Sequence, residues 1–179
     1  MDTTGKKTNH RLTYGLIAGL VVCLITLGLY LGGLDMYLGP VAYVSYLVVV
    51  VLSILAGLRQ KKENGGYLEF AEALKITFTV FALALLLQTL FTYVLLNYID
   101  VPFKQAVAQE VMNKTEQMMK KFGATDAQID QAMDAERNKD PFAFSRVLLG
   151  YGISCIVAFI ICLIISLCIR KNKPVFDNI

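Results

Sequence analysis

Four long apolar stretches without a single acidic or basic residue constrain this chain more than any other feature. They run from Leu12 to Leu34, Leu38 to Leu58, Ile76 to Leu96 and Val147 to Ile169. Each is close to the ~20 residues that a membrane-spanning helix needs. Inside a bilayer the backbone has no water to bond to, so such stretches must satisfy their own amides as helices. The expected fold is therefore an all-α integral membrane protein, a four-transmembrane-helix bundle. It occupies residues 1–179 as one membrane domain.

Charge placement sets the expected orientation. Lys6, Lys7 and Arg11 precede the first span, Arg59, Lys61 and Lys62 follow the second, and Arg170, Lys171 and Lys173 follow the fourth. The positive-inside rule puts these three clusters, and with them both termini, in the cytoplasm. The turn around Asp35, Met36 and Tyr37 has no Lys or Arg and then faces outward. So does the segment from Tyr98 to Arg146, whose seven basic residues are balanced by eight acidic ones. A basic start before an apolar run also opens a secretory signal, but this run is about twice a typical h-region and no small-x-small site follows it. The first span is expected to stay in place.

Local chemistry marks where the spans end. Gly39-Pro40 opens the second helix, and Gly65-Gly66 breaks the connection before Tyr67-Leu68-Glu69-Phe70-Ala71-Glu72 starts the third. In that foot Glu69, Glu72 and Lys75 recur every three residues, so Glu72 and Lys75 are within reach of a local pair. An ordinary interfacial helix start accounts for the same residues. Asn97 and the Asp100-Val101-Pro102 run stop the third span at its other end, because a residue before proline is driven away from helical angles.

Within the spans, small and weakly polar residues fall in stripes. At ~100° per residue, Gly15, Gly19, Cys23, Thr26, Tyr30 and Gly33 share one arc of the first span, while Gly28 and Gly32 lie nearly opposite. Thr77, Ala84, Gln88 and Thr92 share an arc of the third. In the fourth, Gly150, Ser154 and Ala158 form a small-xxx-small ladder with Cys155, Cys162 and Ser166 beside it. Helices associate in lipid by close packing and interhelical hydrogen bonds, which these residues permit. Gln88 is the most polar side chain deep in any span. Structural bonding between helices and the lining of a neutral-solute path are its two readings.

What the spans lack is equally informative. No Asp, Glu, Lys, Arg or His is available within them to relay a proton or hold a charged substrate, which argues against a coupled transporter. Cys23, Cys155, Cys162 and Cys168 all lie in spans without zinc-site spacing, and the lone His10 is in the basic tail. No catalytic, metal or cofactor site is expected, and the chain is expected not to be an enzyme. The net charge of +3, with no basic and aromatic interleaving, points away from nucleic acid.

The segment from 98 to 146 is helical in character. Val107, Val111, Met118 and Phe122 fall on one face of a first helix that Gly123 ends. Thr125 and Gln128 then have the spacing of a capping box, opening a second helix with Ile129 and Met133 inward. The expectation is an extracytoplasmic helical hairpin. With few large apolar residues it cannot form its own core, so it should lean on the membrane surface or on a partner. Asp126, Asp130 and Asp134 read as a solvated face, since hard cations usually gather oxygens on an irregular loop.

The Tyr14-to-Gly19 start, the Gly65-Gly66-Tyr67-Leu68-Glu69-Phe70-Ala71-Glu72-Ala73 stretch, the Asn97-Tyr98-Ile99-Asp100 run and the final Arg170-Lys171 together resemble the bacterial membrane family called domain of unknown function 4199. The resemblance covers nearly the whole chain. It implies a bacterial inner-membrane protein and supplies no catalytic residues. Two functional classes follow: a non-enzymatic accessory or interaction protein, or a small transporter or channel for an uncharged solute. The expected partners are the lipid bilayer and another membrane protein or a second copy of this chain. The candidate interaction or packing residues are Gly15, Gly19, Glu69, Glu72, Gln88, Thr92, Asn97, Gly150 and Ser154.

Overall fold

In a computed structural model, which describes residues 10–137 and 139–172, regular structure among the described residues is helical apart from one isolated bridge. Lys6, Lys7 and Lys173 of the basic clusters lie outside those residues, as does the side chain of His10. The elements are α1 (His10–Leu31), a short α2 (Leu34–Tyr37), a 3-10 turn (Pro40–Tyr43), α3 (Val44–Glu63), α4 (Phe70–Val94) continued by a π-helical turn (Leu95–Ile99), α5 (Val101–Lys121), α6 (Asp126–Arg137) and α7 (Phe144–Ile169). Four stretches, Arg11–Leu31, Pro40–Glu63, Phe70–Ile99 and Phe144–Ile169, are long and apolar enough to cross a membrane. The third begins earlier than the apolar run alone implies, because the foot from Phe70 is already helical.

The α4 helix is the hub. It packs against α1, α3 and α7, and it carries the largest buried side chain of the core, Phe81, together with Ala73, Ile76, Val80, Ala84 and Leu85. The glycine stripe of α1 sets its distance to α4: a Cβ on Gly15 would sit 2.8 Å from Leu83 Cδ1, and one on Gly19 would run into Leu87. Small residues thus let the two backbones approach closely, as helices in lipid require. The same face continues through Thr26, buried at 4% exposure, to Tyr30. Gly28, on the opposite side, would meet no atom with an added Cβ.

The inner stripe of α7 (Ala158, Cys162, Ile165, Ser166 and Ile169) is buried, and the Ser166 and Thr77 hydroxyls lie 3.2 Å apart between α7 and α4. Phe78 and Phe159 add an edge-on ring contact with centroids 5.6 Å apart. The outward faces carry Leu20, Leu24, Leu149, Ile156 and other large apolar side chains that are well over a third exposed. In a bilayer that surface is satisfied by lipid tails.

Both ends of the bundle are tied. At the basic end, Gly65 and Gly66 adopt φ of +69° and +92°, reversing the chain after α3 so that Leu68 reaches the exit of α7. Leu68 and Lys171 then exchange two backbone hydrogen bonds of 2.8 Å, and the Lys61 ammonium donates to the Ile169 carbonyl at 2.8 Å. At the opposite end, the π-helical turn lets the Asp100 amide bond to the Leu95 carbonyl, and Asp100 then caps α5 by accepting from the Phe103 amide at 2.8 Å.

Beyond that cap, α5 lies across the end of the bundle. Phe103 packs edge-on against Tyr30 and Tyr37, Val107 is buried, and the Lys114 ammonium reaches the Leu38 carbonyl at 3.1 Å. The chain reverses at Gly123, with φ of +81°. The capping box forms as its spacing predicts, with Thr125 N donating to Gln128 at 3.0 Å and Gln128 N to the Thr125 hydroxyl at 3.4 Å. Helix α6 then returns along α5, burying Ile129, and is held near α7 by Glu136, which takes two hydrogen bonds from Arg146.

Candidate functional site

Helices α3 and α7 meet at one end of the bundle and part at the other. Gly57 of α3 lies against Ile169 of α7 so closely that a Cβ would strike the Ile169 Cδ1, and Lys61 holds the carbonyl of the same residue. Toward the Asp100 end the two helices splay over α4. The result is a cleft of about 320 Å³ lined by Tyr46 of α3, Leu85, Gln88, Thr89, Thr92 and Tyr93 of α4, and Val147, Gly150, Tyr151 and Ser154 of α7. Pro141 and Phe142 close its rim.

Four residues singled out in the sequence, Gln88, Thr92, Gly150 and Ser154, therefore converge on one cleft. Gly150 faces open space, where an added Cβ would touch nothing within 4 Å. The ladder of α7 thus divides into two parts: Ala158, Cys162 and Ser166 are buried against the core, while Gly150 is exposed and Ser154 half-buried, both lining the cleft. Gln88 stands between the cleft and α1, its amide nitrogen 3.5 Å from the Thr26 hydroxyl, at the outer limit of a hydrogen bond. The Tyr151 hydroxyl donates to the Ala82 carbonyl at 3.3 Å, fixing that ring on the α4 side. Chemically, the lining presents amide and hydroxyl groups beside apolar walls, and it can bind by hydrogen bonds and packing.

The remaining candidates fall elsewhere. Gly15 and Gly19 are buried in the α1–α4 contact. Asn97 is a latch: its amide donates to the Tyr93 carbonyl at 3.1 Å and to the Phe142 carbonyl at 3.3 Å, while its oxygen accepts from Lys104 at 2.8 Å. It thereby holds the rim of the cleft to the π-helical turn. The same Lys104 ammonium pairs with Asp140 at 2.5 Å. Burial alone would raise the Asp140 carboxyl, but Lys104 and the Phe142 amide outweigh it and hold the group below the ordinary carboxylate range. Glu136 is lowered further, to about 2, by its hydrogen bonds from Arg146 and Lys139.

At the basic end, Glu69 is exposed at the N-cap position of α4, where its carbonyl accepts from Ala73. Glu72 accepts from the Asn64 amide at 3.0 and 3.2 Å rather than pairing with Lys75. The reason is the Gly65-Gly66 reversal, which brings the end of α3 back over the first turn of α4. This foot and the cleft are at opposite ends of the bundle and share no residue.

Sequence reasoning missed Tyr46, Tyr93, Tyr151 and Phe142 as lining residues. Their signal was the clustering of aromatics near the ends of spans, a pattern that interfacial anchoring explains equally well. The model of the family described as "Protein of unknown function (DUF4199)" matches residues 13–171. No curated protein and no solved structure matches the chain.

Proposed function

We propose, for a chain that belongs to the DUF4199 family, that it is a non-enzymatic accessory protein of the bacterial inner membrane, and that the α3–α7 cleft seats a ridge of a partner protein's transmembrane helix. The observation that carries this reading is the open wall at Gly150 and Ser154. Small residues on a lipid-embedded helix gain stability by letting another backbone approach, and here Ala158, Cys162 and Ser166 are buried while the space at Gly150 stays open. Ridge-into-groove packing of one more helix would cover Gly150, Ser154 and Gln88 together.

The orientation favoured by the basic residues Arg59, Lys61, Lys62, Arg170 and Lys171 is the one with this end and both termini in the cytoplasm. The cleft then opens toward the outer leaflet, and α5 and α6 form an extracytoplasmic helical pair above it. Labelling of single cysteines at Lys62 and Lys120 tests the orientation: reagent confined to the outside should reach position 120 and not position 62. A photo-crosslinker at Ser154 tests the partner. It should capture one reproducible membrane protein in native membranes, whereas adducts with lipid alone would overturn the reading and a self-adduct would make the partner a second copy.

A second reading draws on Gln88 and Thr92, whose polar groups line the same cleft. A small uncharged solute would find hydrogen-bond partners there, as a transporter or channel requires. Flux through reconstituted protein that is lost in Gln88→Leu would favour it over the accessory role.

A further inference from the structure

We infer that the second half of α5 is a lipid-seated interfacial helix, with Met118 and Phe122 inserted among the acyl chains beside the bundle and Lys114 and Lys121 at headgroup level. At ~100° per residue, Phe103, Val107, Val111, Lys114, Met118 and Phe122 fall within an arc of about 100°. The first part of this face meets the bundle through the Phe103 rings, the buried Val107 and the Lys114 contact to Leu38, with Val111 between them 41% exposed. Tyr30, Tyr37 and Leu38 belong to the ends of spans one and two or to the turn between them, so this face of α5 runs at the level where the bilayer begins.

The same face continues past the bundle. From Lys114 to Phe122 is about 12 Å of helix at ~1.5 Å per residue, enough to carry the end of α5 beyond its contact with Leu38 and over the neighbouring lipid. There Met118 is 58% and Phe122 85% exposed. Helix α6 does not cover them, because it lies against another side of α5, where Gln109, Met112 and Glu116 face Ile129 and Met133 across a groove. The occupant is a lipid surface because the uncovered residues extend a face already resting at the bilayer boundary. Lys121 lies along the same arc, placed for its stem to follow apolar surface while its ammonium group reaches headgroup phosphates, and Lys114 is held at that level by the Leu38 carbonyl. The inference holds for either orientation of the protein in the membrane.

The chain has no tryptophan, so one indole can report on this surface without background. Phe122→Trp in the full-length protein, reconstituted in phosphatidylcholine and phosphatidylglycerol vesicles, should show blue-shifted emission. Replacing those lipids with chain-brominated ones should quench it several-fold more than it quenches Ala127→Trp, which lies on the side of α6 away from Ile129. Equal and weak quenching at both positions would overturn the proposal, as would quenching at position 122 that requires a second protein in the vesicle. A Met118→Trp variant repeats the test should Phe122→Trp fail to fold.

Discussion

The Tyr30 hydroxyl donates to the Asp100 carboxylate at 2.8 Å, joining the end of span one to the residue that ends span three and caps α5. One carboxylate thus serves two elements: one oxygen holds the first turn of α5, and the other holds α1. Asp100→Ala should destabilise the folded protein by about 1 kcal/mol through the lost cap alone, and should loosen α5 from Tyr37 as well. Tyr30→Phe should change stability less, and in the Asp100→Ala background it should change it hardly at all. Thermal melting of the four variants in detergent, arranged as a double-mutant cycle, measures the coupling.

Close approach of α1 and α4 depends on particular glycines. Gly19→Leu should cost about 1–3 kcal/mol, because the added carbons enter the space of Leu87. Gly28→Ala should be neutral or stabilising by up to about 1 kcal/mol, since it fills nothing and relieves glycine's cost in a helix. Equal effects at the two positions in a melting assay would contradict the packing described.

Between α4 and α7 the Thr77 hydroxyl contacts Ser166 at 3.2 Å and also donates to the Ala73 carbonyl at 3.0 Å. Interhelical polar contacts in membranes average about 0.6 kcal/mol, so Thr77→Val and Ser166→Ala should each cost on that order. Their double variant should cost less than the sum.

Acid should release α6 from α7. The Glu136 carboxyl lies at about 2 in the folded protein, against ~4.3 for an unperturbed Glu, so its pairing favours the fold above the ordinary value. That contribution is lost as pH falls through the window from about 4 to about 2. A nitroxide at Ala132 should gain mobility across that window, and Glu136→Gln should be mobile already at neutral pH with no further step there.

Much of this arrangement is legible in the sequence, for reasons that differ between elements. The stripe from Gly15 to Tyr30 predicts a contact face because small residues at helical spacing are unusual in a lipid-facing run, and α4 does cover it. The Thr125–Gln128 cap is local and depends on spacing alone. The Leu68–Lys171 bridge is not legible, since it uses backbone atoms and leaves no side-chain signature. Glu72 meets Asn64 because of a chain reversal, which residue spacing along one helix does not encode. The cleft is hidden for a subtler reason. Gly150 and Ser154 have the same small character as Ala158, and only their surroundings in the fold separate the buried Ala158 from the open Gly150.

The open half-stripe bears most directly on the proposed role. Because a Cβ added at Gly150 meets nothing within 4 Å and the cleft beside it is open, Gly150→Leu should change melting in detergent little while filling the space offered to a partner. Crosslinking from a photoreactive residue at Ser154, in native membranes with and without Gly150→Leu, is the decisive measurement. A single protein adduct is expected, falling at least tenfold in the Gly150→Leu background. An adduct of undiminished yield, or the absence of any protein adduct from position 154, would contradict it.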